Sequence, residues 1–266
     1  MSAGNKILVF GGGCGAKKYL EALLFKFQKE EIILTSFDIT GRTRQTATGL
    51  SLNYNNFSEL PSDLRLIIIS VKPEHIYNVL YCISEKINNV PIVLDKPLAI
   101  NYESACRIEQ LCRNKKIRLY VAYNARFYSY SFNSNDLFST IPNHIELPLR
   151  NSKQPRDCLK LDISHVLDYL MYLENNTDLI FQNLHITDRI VIYGGINNKY
   201  FHIHLGSKFE TRKLNGNVFA VPTIISNLRI VESAIKGSLE WNNFQSNKSI
   251  ALFLEKTLES YDEKRK

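Results

Sequence analysis

Short, continuous apolar runs alternate with segments of helical period through the first half of the chain, and longer runs with few helices between them follow in the second half. The runs "KILVFG" (6–11), "EIILTSFD" (31–38), "LRLIIISV" (64–71), "PIVLDKP" (91–97) and "IRLYVAY" (117–123) carry no strict polar alternation, which is the pattern of strands buried on both faces of a parallel sheet. Between them "AKKYLEALLFKFQKE" (16–30), "HIYNVLYCISEKI" (75–87) and "YESACRIEQLCRN" (102–114) repeat apolar positions three and four residues apart, so they read as the helices that cover such a sheet. Residues 39–63 read as a loop-rich connection. The pattern predicts an α/β, doubly wound domain over residues 1–121.

Beyond it, "HIELPLR" (144–150), "LIFQNLHI" (179–186), "DRIVIYGGI" (188–196), "KYFHIHLGSKFETRKL" (199–214) and "NLRIVESAIKGSLEWN" (227–242) read as long strands. They predict an α+β domain over 122–266 with a large, mostly antiparallel sheet. A helix over 159–173 and a C-terminal helix over 249–266 would pack on one face of it.

Composition narrows the class. A chain of 266 residues with 44% hydrophobic content can build a sizeable core. It has no apolar run long enough to cross a bilayer, and "MSAGNKILVF" enters a strand pattern directly, so a cytoplasmic protein without membrane contact is expected. Cys14, Cys82, Cys106, Cys112 and Cys158 are scattered, without a CxxC pair, which suggests reduced thiols and no structural metal. His202 and His204 alternate along one strand and read as a polar sheet face. The net charge of +7 is spread thinly, and its densest run, "RNKKIR" (113–118), reads as the solvated end of a helix. A nucleic-acid partner, which would need a concentrated basic patch, is not expected.

Candidate chemistry begins in "LVFGGGCGAKKYLEAL". A buried strand ends at Phe10 and a glycine-rich turn, which includes Cys14, opens a helix. Read as GxGxxA, Gly11 permits the tight turn, Gly13 lets the backbone approach a pyrophosphate and Ala16 lets helix and strand pack closely. This is the fingerprint of a Rossmann dinucleotide site. Asp38 closes the second strand, where an acid holds ribose hydroxyls and favours NAD. Arg42 and Arg44 follow directly and suit the 2′-phosphate of NADP, so both dinucleotides stay open. In "KLDISHVLDYLMYL" (160–173), Asp162, His165 and Asp168 are spaced i, i+3 and i+6 on a mostly apolar helix. From these residues alone His165 is either a core histidine satisfied by an aspartate or a catalytic acid.

At "IIISVKPEHIYNVL" and "IVLDKPLAI" the sequence resembles the Gfo/Idh/MocA oxidoreductases, a family that includes glucose-fructose oxidoreductase and inositol dehydrogenase. The resemblance runs through Pro73 and His75 after one strand and through Asp95, Lys96 and Pro97, which stand where the family has an EKP motif. It continues in "VAYNARFY" and in "LDISHVLDYL". It implies a cofactor site that includes Pro73, His75, Asp95 and Lys96, and a substrate pocket lined by Asn124, Arg126 and Asp168. His165 would exchange a hydroxyl proton, Asp162 would orient it, and Lys96 would polarise the oxygen during hydride transfer. Four motifs in the family's order favour the catalytic reading of His165.

The implied function is an NAD(P)-dependent oxidoreductase of a sugar, such as an activated or amino sugar of bacterial surface polysaccharide synthesis. The implied assembly is a homodimer or homotetramer through the open sheet face of the second domain. A non-catalytic relative that binds dinucleotide or sugar and acts through a protein partner, and a cyclic imine reductase, are the alternatives. Members are usually longer than this chain, which marks it as a shortened one.

Overall fold

In the computed structural model the first half forms β1 (Lys6–Phe10), β2 (Ile32–Thr35), β3 (Thr43–Gln45), β4 (Ser51–Asn55), β5 (Leu64–Ile69), β6 (Ile92–Asp95) and β7 (Leu119–Ala122). The structure describes residues 5–36, 43–45, 51–55, 57, 60–123, 143–149, 154–175, 177–207, 209, 213–214, 217–218, 223–239 and 243–265. The strand order is β3-β4-β2-β1-β5-β6-β7. From β4 to β7 every pairing is parallel, and β3 joins the edge antiparallel to β4. The chain winds outward from β1 to β2 and β4, then returns to β5 on the other side. The crevice between β1 and β5 is therefore the topological switch point where such sheets bind ligands.

The helices are α1 (Cys14–Leu24), α2 (Ile76–Lys86) and α3 (Tyr102–Asn114). Ile7 to Phe10 are almost wholly buried, and this two-sided burial is why their run shows no polar alternation. On α1, Ala16, Tyr19, Leu20 and Leu23 repeat at helical spacing and pack over Ile7 and Val9. Two short strands, β3 and β4, occupy part of the segment read as loop. The serine and asparagines of β4 are poor strand formers, and its pairing with β2 overrides that propensity.

The larger correction lies at 227–242. The run read as a long strand is mainly a helix, α6 (Thr223–Lys236). Ser226, Asn227, Ile230, Val231 and Ala234 are its buried positions, spaced three and four apart, whereas the isoleucines and valine suggested a strand. Gly237, at φ +72°, closes the helix, with the Ser238 amide donating to the Ser233 carbonyl at 2.9 Å. Ile230, Val231, Ala234 and Leu239 join the cluster formed by β1 and α1. Lys26 and Glu232 form an ion pair beside it.

Two compact units result. The first holds residues 1–98, 106–127 and 222–243; the second holds 99–105, 128–221 and 244–266. The sequence boundary at 121/122 lies near one crossing, but the apolar face of α6 returns to the first unit, so neither unit is a single stretch of chain.

The second unit contains β8 (Asn143–Pro148), α4 (Pro155–Leu161), α5 (Ile163–Glu174), β9 (Leu179–Ile186), β10 (Ile190–Ile196), β11 (Lys199–Gly206), β12 (Lys213–Leu214), β13 (Asn217–Val218) and α7 (Phe244–Glu263). Its sheet runs β13-β12-β8-β11-β10-β9. It is mixed: β8 and β11 are parallel, and the other pairs are antiparallel. Phe201 and Ile203 point inward, and Phe253 of α7 stacks against Phe201 and Phe181 with ring centroids 5.9 and 5.6 Å apart. Arg156 on α4 holds Asp262 on α7 through two nitrogens. The helix expected over 159–173 is two helices that meet at Asp162, whose φ and ψ of −88° and −33° keep the chain near helical.

Candidate functional site

In the first unit the candidate residues gather at the carboxyl ends of the parallel strands. Gly11 follows β1, Pro73 and His75 form a 3-10 turn after β5, and Asp95 ends β6 with Lys96 next in line. The Gly11 amide donates to the Thr35 carbonyl at 2.9 Å, and the Ser70 amide donates to the Phe10 carbonyl at 2.8 Å. These bonds fix the start of the turn against both neighbouring strands.

The glycines of "GGGCGA" have separate jobs. Gly11 has φ +137°, and a Cβ there would lie 2.1 Å from the Ser70 carbonyl oxygen, so only glycine fits. At Gly15 a Cβ would lie 2.3 Å from Ser70 Oγ and 2.4 Å from Asp95 Oδ2. Around Gly13 a Cβ would meet nothing within 4 Å. Two glycines thus let the turn sit on β5 and β6, and the third opens it outward. Gly13 is the N-cap of α1, no side chain caps the helix, and its first turn carries no acid. The amides of that turn and the positive end of the helix dipole therefore address exposed space above Gly13 and Cys14. This cradle fits a dinucleotide pyrophosphate, and Ala16, 1% exposed, is the small residue at the helix–strand contact.

Under the turn, Ser70 Oγ donates to Asp95 Oδ2 at 3.0 Å. Burial pushes the Asp95 carboxyl up from the ordinary carboxylate range, and Lys96, Ser70 and Lys18 offset part of that rise. Ser70 and Gly15 were not identified from the sequence. The signal was present: Ser70 is the first polar residue after "LRLIII", and Gly15 is an extra glycine that the GxGxxA register skips. His75 is exposed and Pro73 half-buried. Asp38, Arg42, Asn124 and Arg126 lie outside the described residues.

The second unit carries the other candidates on the paired helices. Asp162, 6% exposed, is at the α4–α5 junction; His165 is half-buried one turn into α5; Asp168 is fully buried one turn further on. Ser164 Oγ donates to the Leu161 carbonyl at 3.1 Å across the junction. One buried aspartate within α5 and another at its N-cap depart from an ordinary apolar core.

The same unit has a polar sheet face built from neighbouring strands. His144 and Glu146 on β8, His202 and His204 on β11, Tyr193 on β10 and His185 on β9 share it by register. The His144 and His204 rings lie 4.2 Å apart, and His144 Nε2 is 3.4 Å from a Glu146 oxygen. Burial, then His144, Arg189 and His202, lower the His204 pKa to about 4, against a raising effect of Glu146. Because the unfolded chain binds a proton near pH 6.5 and the folded one does not until about pH 4, this residue's contribution is present above pH 6.5 and is lost as pH falls toward 4. Discounted for partial exposure, the loss is about 1–2 kcal/mol. Urea melts from neutral pH to pH 4 should show His204→Gln losing less stability than wild type; equal losses would remove His204 as the source. Among the described residues no group of three or more His, Cys, Asp or Glu side chains is placed to hold a metal, and no helix is long and apolar enough to cross a membrane.

The doubly wound sheet with an open glycine turn at its switch point is the architecture of a dinucleotide-binding Rossmann domain. Residues 5–123 match the Gfo/Idh/MocA family model, described as oxidoreductase family, NAD-binding Rossmann fold. A search of curated proteins finds no match. Among solved structures, the chain is similar to a UDP-N-acetylglucosamine 3-dehydrogenase from Acidithiobacillus ferrooxidans (11% identity, TM-score 0.68, 97% of this chain and 96% of that one). It is also similar to an oxidoreductase from Agrobacterium radiobacter in complex with NAD+, L-tartaric acid and magnesium (14%, 0.69, 98% and 97%). A third is a myo-inositol dehydrogenase from Corynebacterium glutamicum (13%, 0.67, 96% of each chain). At these identities the likeness is one of fold.

Proposed function

We propose that the protein is an NAD(P)-dependent oxidoreductase that moves a hydride to or from a CH–OH carbon of a sugar or sugar-like substrate. The observation that carries this reading is the uncapped first turn of α1, which opens over Gly13 and is braced from below by Ser70 and Asp95. When bound there, the nicotinamide supplies the redox chemistry itself. The chain's own residues do the rest. Gly11, Gly13, Cys14, Ala16 and the α1 amides hold the pyrophosphate. Lys96 polarises the reacting oxygen, and His165 exchanges the hydroxyl proton with Asp162 orienting its ring; these roles follow the family resemblance. Asn124, Arg126 and Asp168 line the substrate pocket in the same reading. An activated or amino sugar is the preferred substrate class, in keeping with the sugar-nucleotide dehydrogenase among the structural neighbours. Association of copies through the polar sheet face, where Tyr200 and Ile180 are exposed, belongs to the same proposal.

Calorimetric titration with NAD and NADP tests the cofactor, followed by a screen of nucleotide sugars and polyols for change in reduced-nicotinamide absorbance. Asp38→Ala should weaken NAD more than NADP; the reverse ranking assigns Arg42 and Arg44 to a 2′-phosphate. Light scattering on the same sample should report a homo-oligomer. Absence of binding to either dinucleotide would overturn the reading.

A further inference from the structure

We propose that Asp95 is a positioning residue of the dinucleotide site: with Ser70 it braces the first turn of α1, and it takes up a proton when a pyrophosphate docks on that turn. The inference rests on the dinucleotide reading above and goes beyond it.

The geometry begins at Gly15. The space that a side chain would fill there is taken by Ser70 Oγ and Asp95 Oδ2, which are bonded to each other at 3.0 Å. Asp95 therefore lies directly beneath the backbone whose upper side opens at Gly13. The same Ser70 abuts Gly11 through its carbonyl oxygen, so one residue after β5 touches both ends of the turn. Any displacement of the Ser70–Asp95 pair shifts the amides that would meet the phosphates.

Charge gives the second half. A carboxylate under the turn and a diphosphate above it carry the same sign, so the anion disfavours the charged form of Asp95. Tyr19 of α1, 1% exposed, reaches toward Asp95. Its buried hydroxyl has no hydrogen-bond partner among the described residues, and burial, then Asp95 and Tyr120, raise its pKa, so it stays neutral. The cations facing Asp95 are Lys96 beside it and Lys18 on α1. They do not reverse the effect of burial, so the carboxyl holds its proton to higher pH than an ordinary carboxylate before any anion arrives. Docking a pyrophosphate adds a further push in the same direction. Protonation then relieves the repulsion and leaves the brace in place, because a neutral carboxyl still accepts from Ser70.

Titration of NAD+ into the full-length protein, in two buffers of different ionisation enthalpy at each pH, counts protons directly. NAD+ is used because it lacks the 2′-phosphate, which would add a titration of its own. Uptake approaching one proton per dinucleotide is expected in the window between the free and bound Asp95 pKa values, with affinity rising as pH falls by at most about tenfold per pH unit. Asp95→Asn, which keeps the volume and an acceptor for Ser70, should bind NAD+ without that uptake. Ser70→Ala removes a bond that favours the charged carboxylate, so its uptake should persist but move to higher pH. Gly15→Ala, although a better helix former, should weaken binding by displacing the pair. Uptake that survives Asp95→Asn, or wild-type binding without uptake, overturns the proposal and leaves the dinucleotide reading standing. Absence of NAD+ binding by wild type overturns both.

Discussion

Gly13→Val is expected to abolish measurable dinucleotide binding while leaving the fold nearly as stable as before. The substituted side chain would meet no protein atom within 4 Å, and the backbone at φ −86° and ψ −173° is extended, which a β-branched residue adopts without strain. The cost at an N-cap that has no side-chain bond to lose is about 1 kcal/mol or less. The same two methyl groups fill the space into which the α1 amides point, where a phosphate must approach the backbone closely. A loss of roughly a hundredfold in affinity, about 2.7 kcal/mol, is the minimum expected. Calorimetry with NAD and NADP reads the affinity, and a thermal melt reads the fold. Gly11→Ala is the contrasting control: its Cβ would overlap the Ser70 carbonyl, so it should fail by unfolding. Unchanged affinity in a folded Gly13→Val protein would refute the assignment of the turn.

The second large effect belongs to His165. His165→Ala should lower turnover by about two to four orders of magnitude, the usual contribution of a positioned acid or base, and leave dinucleotide affinity unchanged because the glycine turn is intact. Lys96→Ala should produce a similar fall, with weaker substrate binding if its charge also orients the oxygen. Asp162→Asn should be milder, since it removes a charge and keeps both the volume and the imidazole. A sugar found in the screen supplies the assay, and steady-state kinetics of the three variants supplies the ranking. If wild type binds dinucleotide yet exchanges hydride with no sugar in either direction, while His165→Ala loses stability, the histidine is a core residue and a non-catalytic relative is the better description.

The parts of this fold that could be read from sequence are those whose burial is two-sided or whose motif is local. β1, β2, β5, β6 and β7 sit between covering helices, so their apolar runs state their environment directly. The turn at Gly11 to Ala16 is legible for a similar reason, because its chemistry depends on neighbours in the chain. What was not legible depends on partners far away in sequence. Ile230 and Val231 look like strand residues until the groove beside α1 is there to receive a helix. β4 looks like loop until β2 offers its edge. Ser70 and Gly15 become a functional pair only when β5, β6 and α1 converge. The resemblance found the lysine and histidine motifs that periodicity could not, because neither residue's role follows from its local pattern.

The return of α6 also has a consequence for how the protein is made. The ribosome delivers β1 and α1 first, yet Ile230, Val231, Ala234 and Leu239 complete their cluster. The chain must therefore be translated through Leu239 before β1 and α1 acquire their last apolar neighbours. Until then the nascent chain presents an unfilled apolar groove beside α1, the kind of surface that chaperones hold. A clone ending at the first crossing would release the same groove uncovered, so the nucleotide-binding half is expected to resist expression as an isolated fragment unless residues 222–243 are fused back onto it.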